Sequence, residues 1–169
     1  DGSRVQNERG LYLGTTFYPF ARVTVSMFGD YVKFPTPKYN TQEPSSAIDL
    51  YAMATYNFSR DTFIEARYKF KRKEKNVKLP DDNITTVLPY QTHKLRLRYL
   101  KTFYSGWYLR TTFDFANYQT QRFPYELGYM ISQNFGHRGN KKIHGDGFIG
   151  YFNSDSYDAR LYSYERNIM

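Results

Sequence analysis

The longest regular alternation of apolar and polar positions lies at 91–118. Leu95, Leu97, Tyr99 and Phe103 fall on one parity, interrupted by Lys101, while Lys94, Arg96, Arg98 and Thr102 fall on the other. A period of two places successive side chains on opposite faces of a strand. Tyr104-Ser105-Gly106 breaks the run, and beyond it Trp107, Leu109, Phe113 and Phe115 alternate with Arg110, Thr112, Asp114 and Tyr118. Two amphipathic strands around a short Gly-containing turn predict a β-hairpin.

The same pattern predicts nine strands along the chain, at 11–18, 22–34, 47–58, 62–71, 91–103, 107–118, 125–135, 143–153 and 156–169. One parity carries Val23 and Val25 in the second strand, Ile48 and Leu50 in the third, Ile64 and Tyr68 in the fourth, and Leu127 and Ile131 in the seventh. The eighth is Gly-rich, with no clear parity. Pro35 and Pro37 end the second strand, since proline cannot continue a ladder. The charged, proline-bearing stretch 72–90 reads as the longest loop. No stretch has a helical period and no linker divides the chain, so the expectation is an all-β, antiparallel up-and-down barrel spanning 1–169. Short turns follow strands one, three, five and seven, and longer loops follow strands two and four, as in outer-membrane barrels with short periplasmic turns.

Composition supports an unusual sheet. Aromatic residues make up 20% of the chain, with 18 Tyr and 14 Phe, yet mean hydropathy is -0.73. Aromatic residues favour pleated surfaces, and this mixture suits a sheet with one apolar face, one polar face and aromatic residues at water–lipid boundaries. The net charge of +8 would suit an anionic partner, but part of it sits in Lys71-Arg72-Lys73-Glu74-Lys75, expected to be a solvated loop. There is no cysteine, hence no disulfide framework or thiolate metal site. No apolar run reaches the roughly 20 residues of a membrane helix, and the polar stretch 1–10 does not read as a signal peptide.

In a soluble barrel the apolar parity would point inward around a core or an apolar ligand, and in a membrane barrel outward to lipid. A soluble β-barrel or β-sandwich binding an apolar ligand is therefore the alternative. The polar parity mixes both signs across neighbouring strands, which favours a polar lumen: a basic row of Lys94, Arg96, Arg98 and Arg110, with Asp49, Glu65, Asp114 and Glu126 as acidic partners. Such a row either lines an anion-favouring pore or braces the wall through paired charges. With nine strands the chain would start outside the cell and end in the periplasm. An odd number points to part of a larger barrel or a count off by one.

Gly10-Leu11-Tyr12-Leu13-Gly14, the run to Phe34-Pro35, and above all 152–167 (FNSDSYDARLYSYERN) resemble the C-terminal β-barrel region of large Bacteroidota envelope proteins. Those proteins usually carry helix-hairpin-helix repeats of the competence, DNA-uptake type ahead of the barrel. The resemblance implies a bacterial outer-membrane location and partners among membrane lipid, further strands of the same barrel or other envelope proteins. No helix-hairpin-helix motif is present here and family members continue beyond the position of Met169, so nucleic acid is not expected as a partner of this segment. The expected function is a non-enzymatic channel, scaffold or envelope-assembly barrel.

Candidate chemistry is sparse. His93, His137 and His144 are the only histidines, and His144 with Asp146 merely share a strand face. Ser105, Ser132 and Ser156 have no base assigned to them, and no nucleotide, hydrolase or metalloprotease motif occurs. No catalytic, cofactor-binding or metal residue is expected. Lys and Arg interleaved with Tyr could bind single strands only if both shared a face, and the tyrosines lie mostly on the apolar parity. Asp155, Asp158, Arg160, Glu165 and Arg166 are expected to form a local network near the chain end. Asn83-Ile84-Thr85 matches a glycosylation sequon, which carries little meaning in a bacterial envelope protein.

Overall fold

The computed structural model describes residues 7–78, 85–121, 125–137 and 145–162. Eight strands form: β1 (Arg9–Phe17), β2 (Val23–Phe34), β3 (Ser45–Ser59), β4 (Thr62–Lys78), β5 (Thr85–Thr102), β6 (Trp107–Thr120), β7 (Glu126–His137) and β8 (Gly145–Ser154). They make one antiparallel, up-and-down sheet whose spatial order follows the chain, with no helix among the described residues. The expected hairpin is β5–β6, in register from Tyr90↔Thr120 to Thr102↔Tyr108. Its turn closes through Phe103 N to Trp107 O at 2.7 Å and Gly106 N to Phe103 O at 2.9 Å. Gly106 has φ of 83°, where a side chain would be strained.

Three expectations are corrected. The stretch 72–90 is not one long loop: β4 and β5 pair as far as Lys78↔Thr85, leaving 79–84 between them outside the described residues. Charged side chains do not prevent a ladder made by the backbone, and Val77, Thr85, Thr86 and Val87 favour one. Pro89 is tolerated because β5 pairs with β6 only from Tyr90 onward, so it lies where the strand has a single neighbour.

The ninth strand expected at 156–169 is absent over its described part. Residues 155–162 bend inward. Asp155 Oδ2 accepts from Leu127 N at 2.9 Å, Ser154 Oγ donates to Ser156 O at 2.7 Å, and Ala159 N donates to Ser156 Oγ at 3.3 Å. These side-chain bonds offer the backbone an alternative to the ladder. Residues 163–169 lie outside the described residues. With eight strands, β1 begins and β8 ends at the same margin of the sheet, so the described strands lack the opposite placement of first and last strand ends that nine would give. The sheet is open, β1 pairing only with β2 and β8 only with β7.

Register sorts the side chains onto two faces. One row crosses the whole sheet as Phe17, Val25, Ala54, Ala66, Leu97, Phe113, Ile131 and Tyr151. The opposite face carries Asp49, Lys69, Arg67, Arg96 and Asp114. In a flat single sheet the two faces would be equally open. Here Thr112, Asp114 and Ala116 are 7%, 4% and 0% exposed, while Ile131 and Tyr151 on the other face are 53% and 61% exposed. The sheet therefore curls around its polar face. The parity of β8 is settled by its partner: Ile149 and Tyr151 stand beside Gln133 and Ile131 on the convex face, and the Phe135 ring covers Gly147, leaving no space for a side chain there.

The segment 155–162 docks on the concave face at Gly128, where a Cβ would run into the Ala159 carbonyl oxygen. Gly128→Val should expel this segment while the ladder persists, at a cost of about 1–3 kcal/mol typical of overpacking. Trypsin cleavage after Arg160 in the folded protein should accelerate; unchanged cleavage kinetics would disprove the docking.

Candidate functional site

The concave face holds the chain's densest group of ionised side chains because β4, β5 and β6 each present polar residues on the parity that register turns inward. Arg67 opposes Arg96, Lys69 opposes Lys94, and Arg96 opposes Asp114. Like charges directly opposed across strands are destabilising unless neutralised. Toward the tight-turn margin they are neutralised. Arg96 Nε sits 2.5 Å from Asp114 Oδ1, and Glu65 Oε1 receives Arg67 Nη2 at 3.0 Å and Arg98 Nη1 at 3.6 Å. Glu65 is 8% exposed, so its charge is held where pairing is obligatory.

Toward the other margin the balance changes. Asp49 serves two lysines, Lys71 Nζ at 3.3 Å and Lys69 Nζ at 3.6 Å, and Asp158 of the inward segment pairs with Lys75 at 3.4 Å. Lys94 has no carboxylate at ion-pair distance among the described residues, although it faces Lys69. A recess of about 320 Å³ opens here, lined by Lys69, Lys71, Tyr90, Thr92, Lys94, Tyr118 and Asp158. Lys73 and Lys75 lie past outward-facing Arg72, beyond the apolar part of β4. Burial, reinforced by the neighbouring Lys71 and Lys38 charges, holds the Lys73 ammonium below the usual lysine range. For Lys75 burial also acts downward, but the Tyr118 phenol and the Asp158 carboxylate outweigh it and raise its pKa.

Of the basic row, Arg96 and Arg98 meet the acidic residues Asp114 and Glu65, while Arg110 lies against the Tyr108 ring, 5.9 Å from its centroid. Asp49 pairs with lysines outside that row, and Glu126 accepts a hydrogen bond from the Ser156 hydroxyl. His93 is on the convex face, its Nδ1 2.8 Å from the Tyr68 hydroxyl. His137 Nε2 lies 3.0 Å from the Ser105 carbonyl oxygen at the far margin, so the two imidazoles do not converge. Asp146 accepts from the Tyr108 hydroxyl. Ser132 is buried opposite Thr112. No serine hydroxyl meets an imidazole and no group of three metal-ligating residues occurs among the described residues. His144, Glu165, Arg166 and most of the 83–85 sequon lie outside them. Of the network expected near the chain end, Asp158 pairs with Lys75, Asp155 binds a backbone amide, and the Arg160 guanidinium stacks on Tyr157 at 3.2 Å.

The recess residue Tyr90 and the neighbouring Lys73 and Lys75 were hidden in sequence by the supposed loop. The signal was present as Lys69, Lys71, Lys73 and Lys75 on one continuous parity, facing Thr92 and Lys94.

Burial should rank the ion pairs. Asp114→Ala leaves Arg96 uncompensated on a closed face and should cost about 3 kcal/mol, the lower end for breaking a buried pair. Asp158→Ala removes a solvent-exposed partner and should cost at most about 1 kcal/mol. Denaturant midpoints of the two variants check this order, and equal losses would refute it.

No family model, no curated protein and no solved structure is matched by this chain.

Proposed function

We propose that this chain forms part of the wall of a bacterial outer-membrane β-barrel, non-enzymatic, with a channel, scaffold or envelope-assembly role. The observation that carries this reading is the inversion of the two faces: apolar side chains of the convex parity such as Leu50, Ile64, Tyr68, Leu97 and Ile131 are exposed, whereas Glu65, Thr112 and Asp114 of the concave parity are buried. A soluble barrel needs the opposite arrangement, whereas lipid outside and water inside demand this one. The dimensions agree. On β3 the convex face is apolar from Ile48 to Phe58; ten residues at about 3.4 Å each, tilted by about 45°, span roughly 24 Å, close to the apolar band of about 25 Å in such barrels.

Trp107, 51% exposed beside His137 at one end of β6, suits an aromatic girdle at the lipid boundary. Unpaired backbone groups in lipid cost several kcal/mol each, so the free edges of β1 and β8 receive further strands, from the same barrel or another envelope protein. The likeness of 10–14 and 152–167 to Bacteroidota envelope barrels agrees with this reading.

Leu97, on the convex row and 40% exposed, faces lipid in this reading. Leu97→Arg should lower stability in detergent or lipid by about 2–4 kcal/mol, the cost of a mid-bilayer Arg. Arg98→Leu, on the concave face, should be milder because Glu65 keeps Arg67. Equal tolerance of both changes, or a monomeric folded chain in plain buffer, would overturn the proposal.

A further inference from the structure

The concave face divides into two halves of different charge chemistry, arginine toward the tight turns and lysine toward the opposite margin. Near the tight turns Glu65 is shared by Arg67 and Arg98, and Asp114 pairs with Arg96. Toward the opposite margin Lys69, Lys71 and Lys94 line the recess, with Lys73 and Lys75 farther along β4; Asp49 pairs with Lys69 and Lys71, and Asp158 with Lys75. Packing ammonium groups in register partners such as Lys69 and Lys94 is costly without a counter-charge. The third carboxylate of this half, Glu126, lines the neighbouring pocket beside Lys75 and accepts from the Ser156 hydroxyl, and no carboxylate stands at ion-pair distance from Lys94 among the described residues. The sequence instead supplies hydroxyl donors: Thr92 is the register partner of Lys71, and Tyr118 is the register partner of Thr92.

We propose that this recess is a binding site for a phosphate-bearing solute, held by the Lys69, Lys71 and Lys94 ammonium groups and the Thr92 hydroxyl. Lysine is a compact point charge suited to phosphate oxygens, and the uncompensated charge matches a multivalent anion better than a single carboxylate, whose role Asp49 already fills. The volume of about 320 Å³ exceeds that of a lone phosphate and falls at the lower end for small-molecule sites, which leaves room for the organic part of a phosphate ester. Asp158 lines the same recess from the inward segment. Its carboxylate is an internal anion that takes up Lys75 and repels a second anion, so it sets the affinity of the site. The proposal takes the enclosed concave face to be water-accessible, as the barrel reading does, but requires no bilayer.

The test is calorimetric titration of the full chain with inorganic phosphate, in whichever of detergent or plain buffer keeps it monodisperse, at ionic strength fixed with chloride. Detergent dependence then reports on the membrane reading and phosphate binding on this one. Wild type should bind with saturable heat. Lys94→Gln and Lys71→Gln should each weaken binding about tenfold, and Asp158→Asn should tighten it severalfold. Arg60→Gln, the same charge change in the β3–β4 turn, should leave it unaltered. Opposite shifts from Lys94→Gln and Asp158→Asn are not produced by loss of structure, since a loss of structure would weaken binding in both. Phosphate is also a lipid headgroup chemistry: micelles doped with phosphatidylglycerol should fail to compete, because lipid meets the convex face. No saturable heat at millimolar phosphate, equal affinities in all variants, or displacement by the doped micelles would each overturn the proposal.

Discussion

All 17 residues of β4 pair with β5, and the rest of the molecule depends on that ladder. A shift of one residue would move every side chain of one strand to the wrong face, bringing Leu95 and Leu97 in beside Glu65 and turning Lys94 and Arg96 outward. The ladder thus decides at once which side is apolar and which charges meet. It also outruns β3, whose pairing with β4 stops at Ala47↔Lys73, and the vacated edge of β4 is covered by the 35–44 loop. Asn76 N donates to Asn40 O at 3.0 Å, Gln42 N to Asn76 Oδ1 at 3.0 Å, and Ser46 N to Glu74 Oε2 at 2.9 Å. Thr41, 2% exposed, is the deepest residue of that loop, and covering the edge this way leaves no free row of backbone groups to template another strand.

The parity of the inner strands was legible because one face is uniformly apolar there: Leu95, Leu97, Phe113 and Phe115 declare the convex side of β5 and β6 without tertiary information. The strand ends of β4 and β5 were not legible. Past the apolar part of β4 neither face is uniformly apolar, the hydrophobic alternation that marks a strand disappears, and only backbone pairing remains. The end of the chain misled for the opposite reason. Tyr157, Ala159 and Leu161 alternate with Ser156, Asp158 and Arg160 like a strand, but Asp155 and Ser156 spend their side chains on local backbone groups, and no periodicity reports that competition. The candidate site followed the same division. Glu65 and Asp114 could be matched to Arg98 and Arg96 by parity alone, whereas the pairing of Asp158 with Lys75 needed the inward bend.

An apolar exterior and an ionised interior change what stabilises the sheet. Few apolar side chains are buried, so the hydrophobic contribution that usually outweighs chain entropy is not gained within the described residues. It must come from whatever contacts the convex face. Shielding the row from Phe17 to Tyr151 from water restores the missing term, and lipid does so without needing shape complementarity. The edges at β1 and β8 raise the same issue for hydrogen bonds, since an exposed strand edge is a template for another strand.

The two halves of the concave face then serve different ends. Where Arg67, Arg96 and Arg98 meet Glu65 and Asp114, the ion pairs tie β5 to both β4 and β6 and resist bending of the sheet. Where the lysines outnumber their partners the wall carries a standing positive potential, which attracts anions before any contact is made. Arginine sits in the braced half and lysine in the open half. A guanidinium with its fixed fork of donors suits permanent pairing, and a hydrated ammonium on a flexible stem can exchange partners. That segregation of residue type along a single face is what a purely structural network has no reason to produce.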